Sequence, residues 1–386
     1  MIVYLLLTAS VLLIALTIKS KQKLPTALVR DDYNYVYRGI TRSQLKSRAG
    51  LLAIFVLLTG ISAIRLNVGN DYSKYVEIMH RAYSDAIVPT EWGFNTLTRI
   101  VYRISGFENY VAVFAIFAAV TVALFLSEIY RQSEDFWMSF MMFMLLGYYF
   151  QSISTVRYYL ALGAALVAMR FCLKRDWPAF VFVVLLGSLF HKSLLVVLVL
   201  YPLAAFRWKR WMYGAFGALC ISTLFLKDIY LKIAIKIYPS YEGTEFLSGG
   251  TSTVSIARCL GVMIFAAYVL GKDVLADKKM RFYFMCNLGA FALYVFCSFL
   301  PTVSRIAYYL TVTQIFYVPA ILLRMKEDIK SRVNLKFLAR VAVIAFCVLY
   351  FAMYMRRAAD DGVRVLPYVT IFFHELPATL SERGFG

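Results

Sequence analysis

Arg157 and Arg305 each precede an apolar run, and each is followed by a pair of tyrosines, Tyr158-Tyr159 and Tyr308-Tyr309. A guanidinium presents a planar fork of donors and stays protonated, which suits it to the paired oxygens of a phosphate. Two carboxylates, Asp71 and Glu91, and one imidazole, His191, are the groups able to take a proton from a hydroxyl or handle a cation. Arg65, Lys192 and Tyr72 stand beside them in the sequence. Each residue also has a plainer reading: arginines that snorkel to an aromatic belt, a histidine that ties two helices together, carboxylates that cap or are solvated. The functional reading rests on topology, because one arrangement of membrane segments brings all of these residues to the same edge of an apolar bundle. A charge beside lipid costs about 2.5 to 3.5 kcal/mol at mid-bilayer, so such a gathering points to a charged ligand.

The elements that must position them are nearly all apolar. Of 386 residues, 61% are hydrophobic and 16% charged, which excludes a soluble catalytic domain. Runs suited to a hydrocarbon core of roughly 30 Å lie at Met1 to Ile18, Ala49 to Ile64, Tyr110 to Leu126, Phe136 to Phe150, Tyr158 to Phe171, Met212 to Leu226, Val254 to Leu270, Phe282 to Leu300, Ile306 to Leu323 and Phe337 to Met355. Trp177 to Phe206 is either one long helix or two short ones turning at His191-Lys192. The single helix would divide the 41 Lys and Arg almost evenly between the two sides, whereas the hairpin puts a clear majority inside, so the positive-inside rule favours the hairpin. This gives an all-α chain, a single integral membrane domain over 1–386 with about twelve transmembrane helices and both termini outside. The first run has no cationic n-region and no small-residue cleavage site, so it reads as a retained anchor.

Two helices of fourteen residues span only about 21 Å, so the turn at His191 should be sunk below the outer surface, facing a wet cavity or a ligand. The net charge of +19 is mostly topogenic: inner segments Lys19 to Arg48, Arg207 to Arg210, Lys272 to Arg281 and Arg324 to Arg340 are rich in cations. Membrane lipid is therefore the expected partner of that charge, not nucleic acid. Cys172, Cys220, Cys259, Cys286, Cys297 and Cys347 all lie in apolar segments without CxxC spacing and read as small buried hydrophobes. His80, His191 and His374 have no ligand partner at i, i+4, so no metal site and no cofactor are expected. Walker, GxGxxG and GxSxG motifs and internal repeats are all missing from the sequence.

Longer outer segments run over 65–109, 227–253 and 356–386. In the first, Asn67-Val68-Gly69-Asn70-Asp71 has turn composition, and Asp71 is placed to cap a helix carrying Tyr72, Tyr75, Val76 and Met79 on one side. A second helix is predicted after Thr90, with Phe94, Leu97, Val101 and Ile104 on its apolar face and Glu91, Asn95, Arg99 and Arg103 on its polar one. Both would lie on the membrane surface as a roof. In the second segment Lys227, Lys232 and Lys236 alternate with Ile229, Ile233 and Ile237 up to Pro239, and Gly243, Gly249 and Gly250 follow. That pattern fits a flap or an interfacial connector.

Six blocks in order carry a resemblance. They are Arg65-Leu66-Asn67-Val68-Gly69-Asn70-Asp71-Tyr72 with Tyr75, Glu91-Trp92-Gly93-Phe94, Ser154-Thr155-Val156-Arg157-Tyr158, Leu189-Phe190-His191-Lys192-Ser193, Arg305-Ile306-Ala307-Tyr308-Tyr309 and Leu366-Pro367-Tyr368. Together they resemble the EpsG-like branch of the Wzy-type polysaccharide polymerases over nearly the whole chain. The resemblance implies a GT-C-like, metal-independent membrane glycosyltransferase of the bacterial plasma membrane, with its active site facing outward. It would move a glycan from an undecaprenyl diphosphate donor onto a lipid-linked repeat unit, in exopolysaccharide, capsule or O-antigen biosynthesis. A chain-length regulator of the pathway is a further implied partner. His191, Asp71, Arg157 and Glu91 are then the catalytic candidates, and Arg65, Arg157, Arg305, Lys192, Tyr72, Tyr158 and Tyr308 the diphosphate and substrate contacts. Rival readings are a flippase or transporter of lipid-linked oligosaccharide, which usually shows midplane sites and inverted repeats, a membrane O-acyltransferase using His191, and a non-enzymatic assembly partner of an exporter.

Overall fold

The computed structural model describes residues 1–23, 27–30, 36–237, 253–300, 303–325 and 334–372. Every apolar run marked in the sequence falls on a helix or on two consecutive helices. Among the described residues, six helices are long and apolar enough to cross a membrane: Arg42–Ala63, Tyr110–Gln132, Val156–Lys174, Thr253–Leu270, Val303–Arg324 and Leu335–Arg356. A seventh span results if Phe136–Leu145 and Tyr148–Ser154, bent by 44° at their junction, cross as one. Ile2–Ala15, Trp177–Ser188 and Lys192–Ala205 are apolar but shorter, and Lys278–Phe296 begins with a cationic turn. These features suggest a polytopic helical membrane protein.

Polar residues fix several helix starts by accepting from the free amides of the first turn. Thr41 and Gln44 form a capping box ahead of Arg42, and the side chains of Asn109, Asp135, Asp277 and Asn334 accept from Ala112, Met138, Met280 and Phe337. Among the described residues, departures from an all-α chain are a short antiparallel hairpin, Ala27–Arg30 with Val36–Gly39, inside the cationic segment after the first helix, and an isolated antiparallel bridge between Arg65 and Thr370. The single helix expected over Phe136 to Phe150 is two, because Gly147 adopts φ +81°, a left-handed conformation that interrupts the α-helical ladder. Likewise Trp177 to Phe206 is not one helix. Trp177–Ser188 ends before the turn at 189–191, and a 3-10 turn at Lys192–Val196 leads into Val197–Ala205.

The chain divides into two compact units, Met1–Val167 with Leu185–Lys192 and Lys326–Gly386, and Ala168–Val184 with Ser193–Met325. In the first, Arg42–Ala63 packs along Tyr110–Gln132, with Ile2–Ala15 against Arg42–Ala63 and Leu335–Arg356 against Phe136–Leu145. Helices Tyr72–Tyr83 and Trp92–Ser105 pack on each other and onto Tyr110–Gln132. A cluster of Tyr72, Tyr75, Met79, Phe94, Tyr102, Phe114 and Phe117 fills the space beneath them. In the second, Lys278–Phe296 is central, touching Val197–Ala205, Arg210–Phe225, Thr253–Leu270 and Val303–Thr311. Its Asn287 accepts from Gln314 Nε2 at 2.7 Å. Both amides are buried, and their pairing offsets the cost of leaving polar groups in an apolar interior.

Candidate active site

Residues 65–109 fold as their periodicity predicts, with two differences. Tyr72–Tyr83 buries Tyr72, Tyr75 and Met79 on one side, but the side chain of Asp71, at the N-cap position, accepts no capping hydrogen bond from the first-turn amides. Its backbone there is already αR, not the extended conformation that aims a capping carboxylate at the first-turn amides. Trp92–Ser105 buries Phe94, Thr98, Val101 and Tyr102, whereas Ile104, expected on the packed face, is 82% exposed. It lies in the last turn, where the chain leaves through Gly106.

Glu91 immediately precedes Trp92–Ser105, and Arg157 occupies the second position of Val156–Lys174. Far apart in sequence, they form an ion pair in which Arg157 Nη1 donates to Glu91 Oε2. The side chains are 16% and 11% exposed, which shields the pair from solvent far more than a surface salt bridge. The guanidinium also lies over two rings, 5.5 Å from the centroid of Tyr75 and 5.3 Å from that of Phe94, a cation–π arrangement that is stronger when desolvated. Burial raises the Tyr75 phenol above its ordinary value, the adjacent Arg157 pulls the other way, and Asp71 adds to the rise.

The other oxygen of Glu91 accepts from the backbone amide of Lys192 at 3.0 Å. Gly93 N–H donates to Leu189 O at 2.8 Å, an approach so close that a Cβ on Gly93 would sit 2.7 Å from that oxygen. The His191 ring meets Tyr158 edge-on, 5.5 Å between centroids. One carboxylate thus holds both an arginine and the turn that carries the histidine. Glu91, Arg157, Tyr158, His191 and the Lys192 backbone, all singled out in the sequence, come together in the first unit. Tyr75, Phe94 and Gly93 were not candidates, although each lies inside one of the motif blocks.

Arg65 and Tyr72 form a different place in the same unit. Arg65 is 1% exposed. Its Nη1 donates to the carbonyl oxygen of Ser62 and, at 3.1 Å, to the Ser62 hydroxyl, while Nε and Nη2 make no hydrogen bond among the described residues. Its guanidinium lies 4.9 Å from the ring centroid of Phe114 and 6.0 Å from that of Tyr72, and Tyr72 stacks on Phe114 at 4.6 Å. Burial lowers the Arg65 pKa from its ordinary value and pushes the Tyr72 phenol up.

The segment near the end of the chain closes over this region. Leu66 N–H donates to Val369 O at 2.9 Å, Gly69 N–H to Arg364 O at 2.7 Å and Ile371 N–H to Ile64 O at 3.0 Å. Arg364 Nη2 donates to Asn67 Oδ1 at 2.6 Å and Asn70 Nδ2 to Gly362 O at 3.1 Å. The Tyr368 hydroxyl, pushed up to about 12 by burial, donates to Ile61 O at 2.8 Å. Ser154 Oγ donates to Asn70 Oδ1, joining this turn to the residues just before Arg157.

The remaining candidates belong to the second unit. Arg305 and Tyr308 lie half-buried on Val303–Thr311. On the same helix the Tyr309 hydroxyl shares a 2.8 Å hydrogen bond with Ser193 Oγ, and the Tyr309 carbonyl accepts from the Tyr201 hydroxyl at 2.8 Å. The Lys192 side chain, in the first unit, is exposed. Pro239, Gly243, Gly249, Gly250, Pro301 and His374 lie outside the described residues. The cationic stripe Lys227–Ile237 is helical, as its spacing predicts. All six cysteines are free thiols, four of them buried. Among the described residues no group of three or more His, Cys, Asp or Glu side chains is arranged to hold a metal ion.

Fold and site define a class: a multi-pass helical membrane protein in which an arginine, a carboxylate and a histidine from separate segments converge. The chain belongs to the EpsG family, whose model matches residues 49–370 of the 386. Comparisons with curated proteins and with solved structures give no match. Family membership suggests a membrane polysaccharide polymerase of glycosyltransferase type acting on a lipid-linked oligosaccharide.

Proposed function

We propose that this protein extends a polysaccharide at the outer face of the bacterial plasma membrane, moving a glycan from undecaprenyl diphosphate onto a lipid-linked repeat unit. The observation that carries this reading is the joining of Arg157 and the His191 turn by Glu91. The acceptor hydroxyl oxygen attacks the anomeric carbon of the donor glycan, and the bond from that carbon to the diphosphate oxygen breaks. Undecaprenyl diphosphate leaves with the electron pair. The hydroxyl proton passes to His191 or Asp71, and Arg157 balances the charge that grows on the departing diphosphate. Arg157 Nη1 engages Glu91 and its Nε is buried, so Nη2 is the donor this reading gives to the diphosphate. With one oxygen accepting from Arg157 and the other from Lys192, Glu91 serves as a positioning residue that fixes guanidinium and histidine turn in register.

Arg65 and Tyr72 are in this reading parts of the wall, since both are closed off by aromatic rings. Arg305 and Tyr308 are proposed to bind donor or acceptor from the second unit. The reaction runs without a divalent ion, arginine taking that role, so purified protein should polymerise in EDTA. The chain would cross the membrane about twelve times as one membrane domain, and a chain-length regulator would set product size. Cells lacking the protein should accumulate single repeat units accessible from outside. Accumulation of inward-facing units instead would mark a flippase.

A further inference from the structure

Away from these residues, the first unit contains a groove of about 700 Å³ between Arg42–Ala63 and Tyr110–Gln132. Arg48 lies in the opening turns of one helix and Arg131 in the last turn of the other, so the two helices bring both cations to one end of the groove. Lys21 reaches the same end from the connector after the first helix. That connector is held there by Gln22, whose Nε2 donates to the carbonyl oxygens of Arg131 and Gln132 at 3.4 and 3.3 Å. Glu128, which is 1% exposed and accepts from Gln132 Nε2 at 2.8 Å, pairs with Arg131 at 3.8 Å, and Arg131 itself stays 46% exposed. Among the described lining residues, that single pairing stands against the three cations Lys21, Arg48 and Arg131.

Beyond the cations the lining turns apolar, with Leu51, Leu52 and Phe55 facing Ala123. At 1.5 Å per residue, these leucines and the phenylalanine lie roughly 5 to 10 Å further along the helix than Arg48. Cations at one level and an apolar wall deeper match a molecule with a phosphate head and an acyl chain. The cationic end is also the end that the positive-inside rule puts at the inner leaflet, where anionic lipids and basic pockets between helices meet.

We propose that this groove is a binding site for an anionic phospholipid of the inner leaflet. The phosphate sits among Lys21, Arg48 and Arg131, and an acyl chain runs along Leu51, Leu52 and Phe55. The site is separate from the proposed chemistry and does not depend on it.

Native mass spectrometry of the full chain, released from micelles doped with phosphatidylglycerol or phosphatidylcholine, tests this. Phosphatidylglycerol should be retained and phosphatidylcholine should not. Arg48→Gln with Arg131→Gln should weaken retention about 25-fold, roughly fivefold per cation, as expected for charges near an anionic membrane surface. Arg207→Gln with Lys209→Gln removes the same charge from a different inner segment and should leave retention unchanged. Glycerol 3-phosphate, which has the phosphate but no chains, should not displace the lipid. Equal retention of both lipids, an unaffected groove variant, an equally large loss in the control, or displacement by glycerol 3-phosphate would each overturn the assignment. Should the double variant not fold, either single variant at these exposed side chains gives the same readout with a fivefold effect.

Discussion

Arg65 and Arg157 are a natural experiment within one unit. Both stand at helix boundaries on the outer side of the proposed topology, and both lie over two aromatic rings. Arg157 has a carboxylate partner and is 16% exposed along its side chain; Arg65 is 1% exposed, with Ser62 as its hydrogen-bonding partner. An aromatic cage is therefore common to the arginine proposed to meet the ligand and the one proposed to be structural. In the proposed reading what distinguishes the first is greater access, together with an acid that holds the guanidinium in place.

The comparison would be broken or sharpened by a series of variants, measured as polymer length and amount with protein level in the membrane as control. His191→Ala should cause the largest loss, about 100-fold to 10,000-fold if it is the general base, with single repeat units left unextended. Arg157→Lys keeps the charge and loses the fork, and should cost about 100-fold to 1000-fold in rate. Arg305→Lys, which probes the second unit, should also lose most polymer, and normal polymer from both lysine variants would reduce these arginines to membrane anchors.

Glu91→Gln keeps an acceptor for the Lys192 amide but loses the charge that holds Arg157, and should cost roughly 10-fold to 100-fold through misplacement. Combined with Arg157→Lys it should add little, because the two side chains act as one unit; full additivity would separate them. Arg65→Met should leave polymer near normal and change thermal stability by no more than about 2 kcal/mol, since removing a buried charge offsets lost contacts. A dead but folded Arg65→Met would reverse the comparison. Lys74→Ala, on the exposed side of Tyr72–Tyr83, should be silent to within about 0.5 kcal/mol and in activity.

Local features were legible in the sequence, and pairings over distance were not. The helices Tyr72–Tyr83 and Trp92–Ser105 follow from apolar residues recurring every three or four positions, and the break at His191 follows from charge counting, because each depends on neighbours in the chain or on loop totals. The pairing of Glu91 with Arg157 leaves no periodic trace, since neither residue sets the local structure of the other. Gly147 gave no warning of its bend, because one glycine in an apolar run is equally compatible with a straight helix. Asp71 shows the reverse error: an aspartate at the right position is necessary for a side-chain cap, but the backbone decides whether its oxygen reaches an amide.

The hydrogen bonds between residues 61–71 and 362–371 also bear on biogenesis. The turn bearing Asp71 is made about 300 residues before Val369 and Arg364, the backbone partners of Leu66 and Gly69. Until then the turn must wait without its clasp, while the helices between are inserted. A chain cut before Ala358 would still insert most of its apolar helices and look abundant in the membrane, yet the turn ahead of Tyr72 would be left unlatched. Abundance in the membrane therefore does not report whether the turn is latched.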